Sequence, residues 1–340
     1  MGTWPARLAL GLSLLLTAAC GQLDAPGRVA QGDPGGGIGG TGSAAQPVRE
    51  VGVLGTVRGF SSVLVNGVRV EAGPGFPVTT PFGPKLVGEL AEGHVVELSA
   101  RAQGTRLDAR RIAQLIALAG PVEAVERDAE TLLVMGVEVA LAPDATVATD
   151  GGLAGLAPGD RVAVSGLWRN GAVVASRIDP APRPRAGAGD RRGCPAVVSG
   201  VVRAGDDGTR RVGPLPVTGP DAGDPLPDGR FAVLVGSYRD GRLRVRQVAR
   251  GHPVLPAAWT ALWVEAYAGR VHGDPALHGF GHALSAGTRL ERLLGRRGVF
   301  IGPLRDGSAG SSTASPCPKA CAPRRTRCRP SATACGPAAA

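Results

Sequence analysis

Aromatic residues and lysine are scarce in this chain of 340 residues, and each shortage argues against a particular class of protein or binding site. Aromatic residues make up 4% of the chain, against 53 glycines and 29 prolines. A core of Val, Leu and Ala interrupted by frequent turns suits several small β-rich modules better than one large enzyme core. Lysine occurs only as Lys85 and Lys319, and neither follows a glycine in the frame of a phosphate-binding P-loop. The sequence therefore excludes that motif.

Signatures of other catalytic sites are missing as well. The chain contains no Gly-x-Ser-x-Gly nucleophile elbow. Its acidic residues lie singly on alternating segments or in turns, and no pair stands out as a general acid and base. Residues 32–42 contain Gly-x-Gly-x-x-Gly, but a polar, Pro-containing segment precedes them where a dinucleotide-binding loop needs a buried strand. We therefore expect a flexible spacer there, no cofactor, and no enzymatic activity.

A short apolar run lies at the N-terminus. It extends from Leu8 to Ala19, and its twelve residues are too few to cross about 30 Å of hydrocarbon, so we predict a signal peptide over residues 1–19. The ending LLTAAC resembles a bacterial lipobox, which would make Cys20 the lipidated N-terminus of the mature protein, although Thr17 stands where that pattern prefers Leu. An ordinary signal peptide cleaved nearby is the alternative. Gly21 after the cysteine favours a lipid anchor in the outer membrane, facing the periplasm.

The formal net charge of +10 invites comparison with nucleic-acid-binding proteins, but its distribution argues against that class. Arg7 lies in the signal peptide, and the last 24 residues hold five more positive charges, namely Lys319, Arg324, Arg325, Arg327 and Arg329. Residues 20–307 then carry +4, with arginines and acidic residues interspersed. We expect a mixed, solvated surface and no nucleic-acid partner.

Beyond residue 50 the chain repeats itself. The leading glycines of the repeats are 66, 70 and 66 residues apart and are Gly93, Gly159, Gly229 and Gly295. Each glycine precedes a strand-like run and then a turn, as in GDRVAVSGLWRNGAVVASRI at 159–178. Asn-Gly and Asp-Gly turns supply the two residues with positive φ that a tight hairpin needs. Earlier hairpins are predicted at Asn66-Gly67 and at Met135-Gly136.

Alternation of apolar residues indicates how these strands pack. In the strand after each leading glycine, the apolar positions include Val96, Leu98, Val162, Val164, Ala232 and Leu234. Such a period of two predicts a half-buried strand. Gly166 and Gly236 share a mid-strand position, which predicts a bulge or sharp bend. Five strands with one kinked strand and no crossover helix predict an all-β fold of tandem small antiparallel barrels, OB-like or alternatively SH3-like.

The same patterns predict the domain organisation. The segments are a signal peptide (1–19), a Gly-rich tether (20–50), β-barrel module 1 (51–115), module 2 (116–180), a Pro/Arg linker (181–195), module 3 (196–250), a degenerate module 4 (263–307) and a disordered Cys/Arg-rich tail (308–340). After LRDG at 304–307 the alternation stops, so we expect the fourth barrel to be incomplete, to lack its closing strand and to have an open edge.

Four stretches carry a resemblance to one family. They are GIGGTG at 37–42, GTVRGFSSVLVNGVRVE at 55–71, LAPGDRVAVSGLWRNGAVVASRI at 156–178 and LWVEAYAGRV at 262–271. These residues resemble a family of bacterial envelope lipoproteins built of tandem OB-like repeats, whose domain is classed only as one of unknown function, of the 5666 type. The resemblance covers residues 36–307, with Ser61 where the family usually has Gly. It implies secreted barrels and supplies no catalytic residues.

Two groups of potential metal ligands occur late in the chain. His272, His278 and His282 fall in one short segment, where neutral imidazoles could hold a divalent metal. We favour an exposed loop between strands, because glycines interrupt their spacing. The tail lacks the closely spaced cysteine pairs of a structural zinc site, which leaves disulfide bonds or no ordered role for Cys317, Cys321, Cys328 and Cys335.

Trp168 and Tyr238 occupy equivalent strand positions. Aromatic residues on OB-fold strands can stack on bases or sugars, but packing in the core or at the rim is the interpretation we favour here. The whole chain predicts a non-enzymatic, lipid-anchored protein of the bacterial cell envelope, which binds an envelope protein or glycan or serves as a structural spacer. A module that binds oligosaccharide or peptide is the alternative, and an envelope hydrolase is the weaker one.

Overall fold

The computed structural model describes residues 49–60, 62–181, 195–219, 226–252, 261–271, 274–277, 293–302, 304–305, 308–309 and 313–316. Within these ranges the regular secondary structure is β-strand, apart from short 3-10 turns such as Val87–Glu89 and Gly152–Gly155. No helix in the described ranges is long and apolar enough to cross a membrane. The predicted signal peptide, almost all of the tether, and most of the linker lie outside the described residues, as does residue 317 onward.

Three modules follow one another along the chain. Barrel 1 contains β1 (Arg49–Gly59), β2 (Val63–Val65), β3 (Val68–Val70), β4 (Pro77–Thr79), β5 (Lys85–Leu86), β6 (Val95–Gln103) and β7 (Arg106–Leu115). Barrel 2 contains β8 (Leu118–Glu126), β9 (Thr131–Val134), β10 (Val137–Val147), β11 (Arg161–Arg169) and β12 (Ala172–Pro180). Barrel 3 contains β13 (Ala196–Ala204), β14 (Arg210–Val212), β15 (Leu215–Thr218), β16 (Phe231–Arg239) and β17 (Arg242–Arg250).

The strand order decides between the two predicted barrel types. In barrel 2, β8 pairs with β9, β9 with β10, β12 with β11, and β11 with β8, all antiparallel, while β10 and β12 pair in parallel. Barrel 3 repeats this order, with β15 and β17 as the parallel pair. In barrel 1 the parallel contacts are the bridge between Glu71 and Asp108 and the pairing of β4 with β7 at Val78↔Ile112. This closed order, first-second-third-fifth-fourth, is that of an OB-like barrel, so the predicted fold class is confirmed.

The hairpin turns form where the sequence predicted them. Asn66, Met135, Asn170 and Asp240 all have φ between 50° and 55°, and each precedes a glycine of positive φ. Two consecutive residues of positive φ make a type I′ turn, whose twist matches that of the paired strands. The predicted bulges are present too. The register between β11 and β12 shifts at Ser165/Gly166, and that between β16 and β17 shifts at Val235/Gly236.

Barrel 1 has its own apolar core, barrels 2 and 3 share one continuous apolar core, and a further apolar cluster lies between the modules. Val96 and Leu98, predicted to face inward, are fully buried in barrel 1. The cluster between the barrels joins outward-facing residues of different modules, including Leu54, Leu167, Phe231 and Val264. Strands such as β6 are therefore buried on both faces. The barrels pack side by side rather than standing apart as a string of separate domains.

A fourth module packs against barrel 1. It contains β18 (Ala261–Val271), β19 (Asp274–Leu277) and β20 (Arg297–Gly302), followed by β21 (Leu304–Arg305), β22 (Ser308–Ala309) and β23 (Thr313–Pro316). Strand β18 pairs in parallel with β1, from Val51↔Ala261 to Leu54↔Val264. The described strands of this module do not close a barrel. The edge at β20 was expected to be open, but β23 pairs antiparallel with β20. The tail thus supplies a strand that its composition did not predict.

Candidate functional site at the contact between barrels

Barrels 2 and 3 meet through their first strands. Leu118 of β8 pairs with Val198 of β13, and the two strands run antiparallel. Leu118 lies two residues before Gly120, and Val198 lies two residues before the equivalent Gly200. Because equivalent residues face each other, the pairing relates the two barrels by a local two-fold axis, as in an isologous dimer interface.

Trp168 extends from barrel 2 into barrel 3. Its indole Nε1 donates a hydrogen bond of 2.7 Å to the carbonyl oxygen of Ser199, and the side chain is buried, with 8% of its surface exposed. A Cβ atom added to Gly200 would lie 3.0 Å from Nε1, and one added to Gly213 would lie 2.5 Å from the Cζ3 atom of the ring. Two glycines of barrel 3 therefore provide the room for this side chain.

Tyr238 makes the reciprocal contact from barrel 3 to barrel 2. Its hydroxyl donates a hydrogen bond of 2.5 Å to the carboxylate of Glu123 on β8. Burial and the neighbouring Glu123 carboxylate raise the pKa of the Tyr238 phenol. The same carboxylate also accepts a hydrogen bond of 3.1 Å from the backbone of Gly136. Equivalent aromatic residues thus cross the local two-fold axis in opposite directions.

The space that Trp168 fills has counterparts in the other two barrels. In barrel 1, a Cβ atom on Gly55 would lie 2.0 Å from Oδ1 of Asn66. In barrel 2, one on Gly120 would lie 2.3 Å from the sulfur of Met135. Asn66 and Met135 both begin the turn between the second and third strands, so each barrel covers its own first-strand glycine. Barrel 3 has Gly213 at that place in the turn, and the indole of Trp168 takes the vacant position.

The contact between barrels 1 and 2 is polar. Nε2 of His94 lies 3.0 Å from the carboxylate of Asp179, which also pairs with Arg177 at 2.8 Å. Ser176 donates a hydrogen bond of 2.6 Å to the carbonyl oxygen of Gly93. Burial raises the pKa of Asp179, but the contacts with His94 and Arg177 outweigh burial and hold it below the usual carboxyl value. The carboxylate therefore stabilises this contact in its charged form.

Buried charges also connect barrel 1 to its other neighbours. Glu97, which is 0% exposed, lies 3.2 Å from Nδ1 of His252, and the imidazole stacks on Phe231 of barrel 3 at 4.2 Å between ring centroids. Glu265 of the fourth module accepts a hydrogen bond of 2.7 Å from the backbone of Thr56. These carboxylates sit where modules meet, and each has a partner in a different module.

A small cavity lies at the same junction. Its volume is about 40 Å³, and its lining comes from three barrels and the fourth module, including Leu54, Leu115, Leu167, Trp168, Phe231 and Val264. This volume accommodates a few water molecules.

The structure places the predicted site residues as follows. Trp168 is buried and hydrogen bonded inside the molecule, so it does not lie on an open ligand face. Tyr238 retains some exposure, but its hydroxyl is engaged by Glu123. Cys20, the three histidines at 272, 278 and 282, and the four cysteines of the tail lie outside the described residues. Among the described residues, no three His, Cys, Asp or Glu side chains converge as metal ligands would.

Sequence reasoning missed the buried His94, Glu97, His252 and Glu265. Glu97 alternates with Val96 and Leu98, and that pattern predicts a solvent-facing position for it. The available signal was Val95 and Ser99, which share the outer face with Glu97 and make it less polar than an exposed face usually is. That signal is weak, because single apolar residues on a surface are common.

One family model matches within this arrangement. Residues 119–179, which span nearly all of barrel 2, match the model described as Domain of unknown function (DUF5666). Barrel 2 is therefore similar to this domain, and the match covers less than half of the chain. The matched range includes Trp168, Met135 and Asp179, which make the contacts described above. No curated protein and no solved structure matches the chain.

Proposed function

We propose that this chain is a non-enzymatic, lipid-anchored protein of the bacterial cell envelope, and that its OB-like barrels form a rigid surface for binding a partner. The observation that carries the proposal is the exchange of Trp168 and Tyr238 between barrels 2 and 3. Each barrel supplies a side chain that completes the packing of the other. Barrels joined in this way keep a fixed relative orientation, which favours a docking surface over a flexible spacer.

The buried polar side chains at the contacts between modules support a role in assembly rather than in catalysis. Glu97, Glu265 and His94 each contact a residue of a different module. A catalytic acid or base must come within hydrogen-bonding distance of its substrate. These side chains are buried and already engaged by neighbouring modules, so they contribute to the contacts between barrels.

The lipid anchor is proposed from the sequence LLTAAC ending at Cys20. In cells, the wild-type chain should partition with membranes, and Cys20→Ser should shift it to the soluble periplasmic fraction. A Cys20→Ser variant that still partitions with membranes overturns the anchor. Expressing the chain without residues 1–19 provides a cytoplasmic control for the fractionation.

The rigid scaffold can be tested by cutting the chain. A specific protease site placed in the linker at 182–194 would separate barrels 1 and 2 from barrel 3 and the fourth module. After cleavage, we expect the two fragments to elute together from a gel-filtration column, because the barrels hold each other through their packed faces. Trp168→Ala should weaken this association. Fragments of the wild-type chain that separate at micromolar concentration overturn the scaffold.

The two alternative functions give different results. An oligosaccharide-binding module should show a rise in melting temperature with a sugar panel, and that rise should depend on exposed aromatic residues. An envelope hydrolase should release product from purified peptidoglycan, and a single substitution of an exposed polar residue should abolish turnover without lowering the melting temperature. For the proposed scaffold we expect neither result. Either result would replace the proposal with the corresponding alternative.

A further inference from the structure

The outer face of β17 in barrel 3 presents a row of arginines. Arg242 and Arg244 are exposed and alternate with the buried Leu243 and Val245. Arg239 of β16 pairs directly with Arg242, so its side chain shares this face. Successive side chains on one face of a strand are about 6.6 Å apart, which keeps the guanidinium groups separate and accessible.

These arginines are not neutralised by their surroundings. Elsewhere in barrel 3, Arg210 pairs with Asp228 at 2.5 Å and Arg211 pairs with Asp207 at 2.9 Å. Among the described residues, by contrast, no carboxylate forms an ion pair with Arg239, Arg242 or Arg244. The β17 face therefore carries net positive charge, with the exposed Asp240 as the carboxylate of the adjoining turn.

The same face serves a different purpose in each barrel. In barrel 1 the equivalents of Arg242 and Arg244 are Arg106 and Asp108, which pair with each other at 2.6 Å. In barrel 2 the equivalent of Arg244 is Val174, which is buried in the apolar cluster between barrels.

The barrel 2 face is a protein contact. Ser176 lies two residues after Val174 on β12 and donates a hydrogen bond to the carbonyl oxygen of Gly93. Arg177 donates a hydrogen bond to the carbonyl oxygen of Glu92. A turn of barrel 1 thus sits on β12. In barrel 3 the equivalent face is exposed and basic instead of apolar.

We propose that the Arg239–Arg242–Arg244 face of barrel 3 is a docking surface for an acidic segment of a partner protein. The guanidinium fork matches a carboxylate in bidentate geometry. An extended segment with a carboxylate at every second residue repeats at about 6.6 Å, the same spacing as the arginines on β17. The use of the equivalent face of barrel 2 as a protein contact favours a protein over a lipid or a glycan. This inference rests on the proposed binding role and names its class of partner.

The direct test measures binding of a fluorescent peptide that alternates Glu and Thr to the full chain, by fluorescence anisotropy. We expect saturable binding that weakens with added salt. Arg242→Gln combined with Arg244→Gln should weaken binding by about tenfold or more, because two charge-assisted hydrogen-bonding partners are lost. The matched control is Arg106→Gln combined with Arg110→Gln on the corresponding strand of barrel 1, which should change the affinity less than about twofold.

Other polyanions complete the test. Anionic phosphatidylglycerol vesicles and a sulfated polysaccharide are measured with the same variants. The proposal is overturned if the wild-type chain does not bind the peptide, if binding is unchanged in the Arg242/Arg244 variant, or if vesicles or polysaccharide bind through these arginines and the peptide does not. Because both variants change exposed side chains, their melting temperatures should equal that of the wild type. A negative peptide result with intact association of the cleaved fragments rejects the partner class and leaves the scaffold in place.

Discussion

The indole nitrogen of Trp168 in barrel 2 donates a 2.7 Å hydrogen bond to the carbonyl oxygen of Ser199 in barrel 3. This bond makes the packing of one barrel depend on a side chain of the next. Barrels 1 and 2 cover the corresponding glycine with a residue of their own turn, namely Asn66 or Met135. Barrel 3 begins that turn with Gly213, which leaves room for the indole. Its outer surface is therefore completed by its neighbour.

Two substitutions of Trp168 should lower the free energy of unfolding by different amounts. Trp168→Phe removes the hydrogen bond and leaves the Ser199 carbonyl without this donor, which should cost about 1 kcal/mol in free energy of unfolding. Trp168→Ala also empties a buried site, and we expect a loss of about 3–5 kcal/mol. Denaturant unfolding followed by circular dichroism measures both. Trp263→Phe, at a half-buried tryptophan outside this contact, is the control. Equal stability of Trp168→Ala and the wild type would show that the contact contributes nothing.

Gly200→Ala should disturb the same contact from the other side. The added Cβ atom would lie 2.7 Å from Cγ1 of Val212 and 3.0 Å from Nε1 of Trp168, so one of these neighbours has to move. Overpacking of this kind typically costs about 1–3 kcal/mol. Thermal unfolding should show a lower melting temperature than that of Gly73→Ala, where an added Cβ atom meets nothing within 4 Å. If the two variants melt together, the close packing at Gly200 is refuted.

The Asp179 carboxylate should make the contact between barrels 1 and 2 sensitive to acid. Its pKa in the folded protein lies below the usual value because of His94 and Arg177, despite the opposing effect of burial. A group with a lowered folded-state pKa stabilises the protein above its unfolded-state pKa of about 4, and this contribution is lost as the pH falls through the lower value. The stability difference between the wild type and Asp179→Asn should therefore be full at pH 7 and shrink below about pH 4. The exposed Asp150→Asn serves as the control. A difference that grows toward acid pH would contradict this account.

The chain contains two tyrosines, and the pKa of each is raised in the folded protein. Burial is the main cause for both, and Glu123 adds to it at Tyr238. Absorbance at 295 nm, which reports tyrosinate, should rise near pH 10 in denaturant and only at higher pH in the folded protein. Circular dichroism in the same titration monitors alkaline unfolding. Titration of a phenol near pH 10 while the spectrum remains native would refute the burial of that tyrosine. Tyr238→Phe assigns the two transitions.

Much of the fold follows from local sequence patterns. Asn66-Gly67 and its counterparts form the predicted turns, because few residue pairs tolerate two consecutive positive φ values. Val96 and Leu98 point into barrel 1 as their alternation predicts, because successive side chains of a strand face opposite ways. The choice between OB-like and SH3-like barrels stayed open. It depends on the parallel pairing of β10 with β12, between strands distant in sequence.

The sequence by itself determined the modules, their turns, their inward faces and the equivalence of Trp168 and Tyr238, because each of these depends on neighbouring residues or on repetition. Only the tertiary structure decided what the outward faces do. Glu97 is buried because another module covers it, and Trp168 lies inside barrel 3 because a glycine there leaves space. Arg244 is exposed where its counterpart Val174 is covered by neighbouring barrels. Burial of an outer face depends on which modules meet, and alternation within one strand contains no information about that.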